Sequence, residues 1–159
     1  MQIRNTVVIS APFDVVWGAM LDIPYLTPCI PDAAFDKDLG DRRYGGRLRI
    51  KLGPFALTLA GELALTRADK ATGTLAYQAT GRDVGGLGRA DASVSVSTAP
   101  TVDGTSLEIV TDLRLGGPVA HVGRQAIVTD IATSLLTRFG ECLSTRLHAE
   151  QDAVRGREE

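Results

Sequence analysis

Two histidines, two cysteines and three tyrosines stand among the side chains of this 159-residue chain that chemistry could use. His121 and His148 are far apart, and neither Cys-x-x-Cys nor His-x-x-x-His occurs, so no metal-ligand set is spelled out. No Gly-x-Ser-x-Gly turn presents a nucleophilic serine. Gly81, Gly85, Gly86 and Gly88 crowd together as in a phosphate loop. They lie between two strand-like runs, however, and no lysine follows at the Walker position. A loop or bulge that lets a ligand or another backbone approach closely is the better reading.

Tyr25, Tyr44 and Tyr77 each pair an apolar body with a polar tip. Tyr77 has the inward parity of its strand, which makes it the candidate for orienting a ligand oxygen; a core tyrosine bonded to backbone is the competing reading. Asp83 shares that parity if the adjacent glycines leave the alternation intact. A buried carboxyl there would have a raised pKa and could serve as acid or base. His121 could donate to a ligand carbonyl, although an exposed histidine is the simpler expectation. Cys29 and Cys142 are read as two reduced thiols of a cytosolic chain. The row Arg47, Arg49 and Lys51 reads as a solvated outer face that could meet an acidic partner or anionic lipid heads.

These residues need a scaffold, and the C-terminal segment Pro118–Glu150 organises it. From Ile127 the apolar residues Ile127, Val128, Ile131, Ala132, Leu135, Phe139, Cys142 and Leu143 fall on one helical face. Val119, Val122 and Ala126 point elsewhere, so a separate turn at Pro118–Val122, broken near Gly123, is expected to form a lid. The N-terminal part reads as a strand at Arg4–Ser10 and a helix from Ala11-Pro12 to Leu21. The proline-rich stretch Asp22–Pro31 has room only for a short turn near Tyr25–Thr27. Strands follow at Asp32–Leu39, Arg42–Leu52, Phe55–Arg67, Thr74–Arg82, Ala90–Thr98 and Ser106–Leu115. Short turns between them make an antiparallel meander the simplest topology. The chain divides into one domain, residues 1–150, and a charged tail, 151–159, expected to be disordered.

Composition narrows the function. A net charge of −2 with scattered basic residues gives no footprint for nucleic acid. No apolar run reaches the roughly 18 residues that span a bilayer, and no signal peptide is expected at Met1-Gln2-Ile3-Arg4, which lacks a charged region followed by an apolar core. A cytoplasmic protein with at most peripheral membrane contact is expected. Aromatic residues make up only 5%, and inward strand positions include Gly61, Ala79, Gly81, Ala90 and Ala92. A concave sheet so sparsely filled leaves a pocket beside the helix, the kind of apolar space where small molecules bind.

Several stretches together resemble the carbon monoxide dehydrogenase G-subunit family, a branch of the START-like helix-grip (SRPBCC) superfamily. They are Ala11-Pro12…Val16-Trp17, Cys29-Ile30-Pro31, Lys51-Leu52-Gly53-Pro54, Gly61, Gly81–Arg89 and Leu115-Gly116-Gly117…Val122-Gly123. The resemblance runs from about residue 5 to 145. It implies an α+β fold, a curved seven-stranded antiparallel sheet wrapped around a long C-terminal helix. It also implies a non-catalytic accessory of a molybdenum-containing dehydrogenase that binds an apolar small molecule such as a quinone. The expected ligand-lining residues are Tyr25, Leu26, Ile30, Leu48, Leu59, Tyr77, Val94, Leu113, Val119, Val122, Ile127 and Ile131. No catalytic residue, metal or cofactor is expected. The rival reading is an enzyme in the same cavity, a cyclase, dehydratase or hydrolase, which needs at least two polar groups converging there. A protein-binding assembly factor with a collapsed cavity is the third.

Overall fold

The computed structural model describes residues 1–158. Period-2 alternation becomes strands and the amphipathic stretches become helices in the expected order. The elements are β1 (Gln2–Ile9), α1 (Phe13–Met20), α2 (Ile23–Leu26), β2 (Ala33–Gly40), β3 (Arg43–Leu52), β4 (Phe55–Asp69), β5 (Thr74–Asp83), β6 (Arg89–Pro100), β7 (Thr105–Gly116) and α3 (Gln125–Glu158). Two single 3-10 turns, Thr27–Cys29 and Pro118–His121, complete the chain. Pro12 caps α1 rather than opening it. Pro24 fits the first turn of α2, where the Asp22 carboxylate accepts from the Tyr25 N–H at 3.2 Å.

All seven strands form one antiparallel sheet in the order β1-β7-β6-β5-β4-β3-β2. Strands β2 to β7 pair consecutively, as a meander should; β1 crosses to the far edge and pairs with β7 from Gln2↔Asp112 to Ile9↔Thr105. A register shift between Leu65 and Arg67 turns Ala68 toward the core.

The concave face packs on α3 through two separate apolar clusters. The larger joins Phe139, Leu143 and Leu147 of α3 to Ile9, Leu75, Val96 and Leu107 of the sheet and to Val16 and Trp17 of α1. The smaller joins Val128 of α3 to Ile3, Leu52, Leu57 and Val119. Large aliphatic and aromatic side chains lock each end of the helix, each fully buried one contributing about 1.5–3 kcal/mol. Ile127, counted in the apolar stripe, is 36% exposed, whereas its neighbour Val128 is the residue that this turn of the helix buries.

Two expectations are corrected. Cys29 and Cys142 are not free thiols; they form a disulfide across Cα atoms 5.3 Å apart. They are separated by 113 residues in sequence, and only the docking of the Thr27–Cys29 turn on α3 brings them together. The tail read as disordered continues α3 through Glu158, and Glu159 lies outside the described residues. Asp152 and Arg155 are exposed on it, and His148 and Asp152 lie 3.4 Å apart one turn from each other.

Candidate functional site: an apolar cavity between sheet and helix

Between the two clusters the sheet and α3 part, leaving a cavity of about 340 Å³. Small residues are the cause. Gly46, Gly61, Gly81 and Ala90 stand in register on four adjacent strands and face the concave side. Four strands spaced about 4.8 Å apart make this a nearly side-chain-free trough roughly 15 Å long. A methyl group on Gly61 would collide with the Thr80 carbonyl oxygen, and one on Gly46 would come within 2.7 Å of the Ala34 carbonyl oxygen. The trough is thus fixed by backbone packing as well as by composition.

Its walls are the two neighbouring ladder rows. Tyr44, Leu63, Ala79, Ala92 and Leu113 run along one side, and Leu48 and Leu59 along the other. Val128 and Ile131 of α3 and Val119 of the Pro118–His121 turn close the helix side. The segment after α1 supplies Ile23, Thr27 and Ile30.

Half of the expected lining is therefore brought together: Ile30, Leu48, Leu59, Leu113, Val119 and Ile131 border the cavity. The other half is not. Leu26 is buried in the larger cluster and Val94 packs against it. Val122 packs on the smaller cluster. Ile127 faces outward. Tyr25 turns to α3, where its hydroxyl donates to Glu150 at 2.9 Å and the Arg146 guanidinium lies 3.8 Å over its ring. Burial, then the bond to Glu150, holds its phenol above the ordinary value.

Tyr77 is a core tyrosine. Its hydroxyl donates to the Met20 carbonyl at 2.5 Å, and burial holds the phenol well above its usual range. Asp83 does face inward and is 8% exposed, but its chemistry is the reverse of an acid catalyst's. It accepts from the N–H groups of Leu87 and Thr58 at 3.0 and 2.9 Å. Those bonds, Leu87 first, hold its carboxyl below the ordinary value. Asp83 thus closes the glycine-rich loop onto β4. His121 is exposed.

Tyr44 is not among the expected lining residues, although it shares the face of Leu48, Ile50 and Leu52 on β3. It borders the cavity, with Phe35 of the edge strand 6.0 Å away, ring to ring, and of the three tyrosines it is the one among the lining residues. Other polar lining is peripheral or engaged: Arg47, Glu62 and Arg89 are exposed, and the Thr27 hydroxyl donates to the Ile23 carbonyl at 2.8 Å. Among the described residues no three His, Cys, Asp or Glu side chains group as a metal site requires. Among the described residues no helix is long and apolar enough to cross a membrane.

Solved structures share this architecture. A conserved protein from Geobacillus kaustophilus superposes with a TM-score of 0.80 at 18% identity, covering 94% of this chain and 96% of that one. An aromatase/cyclase from Streptomyces sp. R1128 gives 0.63 at 16% identity, covering 92% and 95%. A protein from Thermus thermophilus gives 0.65 at 15%, covering 94% and 99%. At such identities the likeness is one of fold, the helix-grip fold. Among curated proteins none matches significantly. The family profile for the carbon monoxide dehydrogenase G subunit (CoxG) matches residues 6–148, nearly the whole helix-grip unit described above, and the chain belongs to that family.

Proposed function

We propose that this protein binds an apolar small molecule in the cavity between the sheet and α3. The observation that carries the reading is the trough of Gly46, Gly61, Gly81 and Ala90, open in an otherwise well-packed core. A closed core would place larger side chains there. Cavities of roughly 300–1,000 Å³ with apolar walls and few polar groups are the usual form of small-molecule sites. A quinone fits these features: a flat ring and a prenyl chain match the elongated floor, and the Tyr44 hydroxyl can donate to a ring carbonyl. The family to which the chain belongs supports a role beside a carbon monoxide dehydrogenase, a molybdenum-containing enzyme, with this protein as a non-catalytic accessory in the cytoplasm.

The enzyme reading lacks its requirement. Two polar groups must converge on a reacting atom, and here the charged lining side chains lie at the solvent-facing rim. The test is a calorimetric titration of the purified protein with decylubiquinone and with a short-chain menaquinone. Saturable one-to-one binding to either supports the reading. Absence of heat with both, at concentrations up to their solubility, overturns the quinone assignment.

A further inference from the structure

The segment that walls the cavity at one end is tied to α3 at a single cluster. Ile23, Thr27 and Ile30 line the cavity, and between them Cys29 is bonded to Cys142 of α3. Arg146, one turn further along α3, donates to the Tyr25 carbonyl at 2.5 Å and lies 3.9 Å from the Cys29 sulfur. Its guanidinium also covers the Tyr25 ring. The two sulfurs are therefore unlike. Cys29 is buried beside a fixed positive charge, whereas Cys142 is half-buried on the helix.

Thiol–disulfide exchange is governed by which sulfur can be reached and which leaves as the better thiolate. Both criteria select the same direction here. We propose that Cys29–Cys142 is a thiol–disulfide exchange site for an external dithiol, and that its state controls how freely the cavity wall opens. A dithiol thiolate attacks the Cys142 sulfur, the S–S bond breaks, and Cys29 leaves with the electron pair as a thiolate next to Arg146. The second thiol of the reductant then displaces Cys142, closing its own disulfide. The protein gains two electrons and two protons, less the proton that the Cys29 thiolate forgoes, and the reductant loses them. In a cytoplasmic protein such pairs are characteristically transient or redox-sensing rather than permanent staples. Once reduced, the Ile23–Thr27–Ile30 wall keeps its polar contacts to α3 and its packing in the larger apolar cluster but loses the covalent tie, and ligand exchange accelerates. The gating step rests on the cavity reading; the exchange chemistry does not.

The test uses the full chain. Glutathione is added briefly to the oxidised protein, thiols are alkylated, and the mixed disulfide is mapped by peptide mass spectrometry; it is expected on Cys142. In fully reduced protein, thiolate absorbance at 240 nm is titrated against pH. One thiol is expected to ionise well below the ordinary value of about 8.5, and to return toward it in Arg146→Gln. Reduction of Arg146→Gln by dithiothreitol is expected to slow about threefold to tenfold. An adduct on Cys29, or two thiols of ordinary pKa in the wild type, overturns the exchange site. Release of the neutral dye Nile red is then timed in both redox states and is expected to be several-fold faster when reduced. Equal release rates overturn the gating, and no dye binding in either state overturns the cavity reading beneath it. Because the wild-type protein alone carries three of these readouts, a poorly folding variant does not shield the proposal.

Discussion

The Tyr77 hydroxyl reaches the Met20 carbonyl at 2.5 Å, and this one bond joins the middle of β5 to the end of α1. It satisfies a helix-end carbonyl in the core and removes Tyr77 from any part in ligand recognition. Tyr77→Phe leaves that carbonyl buried and unpaired, at a cost of about 1–3 kcal/mol, with the affinity for a quinone unchanged. Tyr44→Phe behaves in the opposite way: thermal stability stays within about 0.5 kcal/mol, and affinity falls about threefold to tenfold. Paired melting curves and titrations check both. If Tyr77→Phe weakens binding while Tyr44→Phe does not, the assignment of roles is reversed.

Ala92 occupies the trough wall between Ala79 and Leu113. Ala92→Phe places a ring in the open space without displacing a packed neighbour. Binding is expected to weaken by at least about tenfold, equivalent to roughly 1.4 kcal/mol, while the protein stays folded by circular dichroism. A variant that binds as tightly as the parent shows the ligand to be elsewhere.

Asp83 predicts a pH signature. Its folded-state pKa is depressed by the backbone N–H groups of Leu87 and Thr58, so the unfolded chain holds a proton more tightly than the native one. The stabilisation is full above the unfolded value, about 3.9, and is lost as pH falls through the lower folded value. Asp83→Asn should lower the melting temperature at pH 7 and by progressively less toward pH 2–3. A constant difference across that range contradicts the role given to the carboxylate.

Reducing Cys29–Cys142 reopens a loop of 113 residues in the unfolded chain. Chain-entropy arguments put the loss at about 4–5 kcal/mol, or on the order of 10 °C in melting temperature for a domain of this size. Differential scanning calorimetry with and without a dithiol reads this directly. A shift below about 2 °C would contradict a stabilisation that acts through the unfolded chain.

Much of the fold is legible in the residues because its signals are local. Alternation in Arg43–Leu52 and Phe55–Asp69, the Gly53-Pro54 turn and the stripe around Phe139 each announce an element within a short window. The smallness of Gly61, Gly81 and Ala90 announces the pocket, since parity alone puts them on the concave face. What could not be read is long-range. Whether Tyr77 or Tyr44 meets a ligand depends on where α1 ends over the sheet, 57 residues away in sequence from the bond it receives. The glycines following Asp83 permit the loop to fold back on its carboxylate, a geometry no periodicity encodes. Cys29 and Cys142 share no motif, only a meeting place made by the docking of a turn on a helix.

Occupancy of the cavity is tested most directly by native mass spectrometry of the protein purified from its own host without added lipid. A population heavier than the polypeptide by the mass of one apolar molecule is expected, released on mild activation and absent from Ala92→Phe. A parent protein that appears only at its bare polypeptide mass, under conditions that retain apolar ligands in other proteins, would contradict that occupancy.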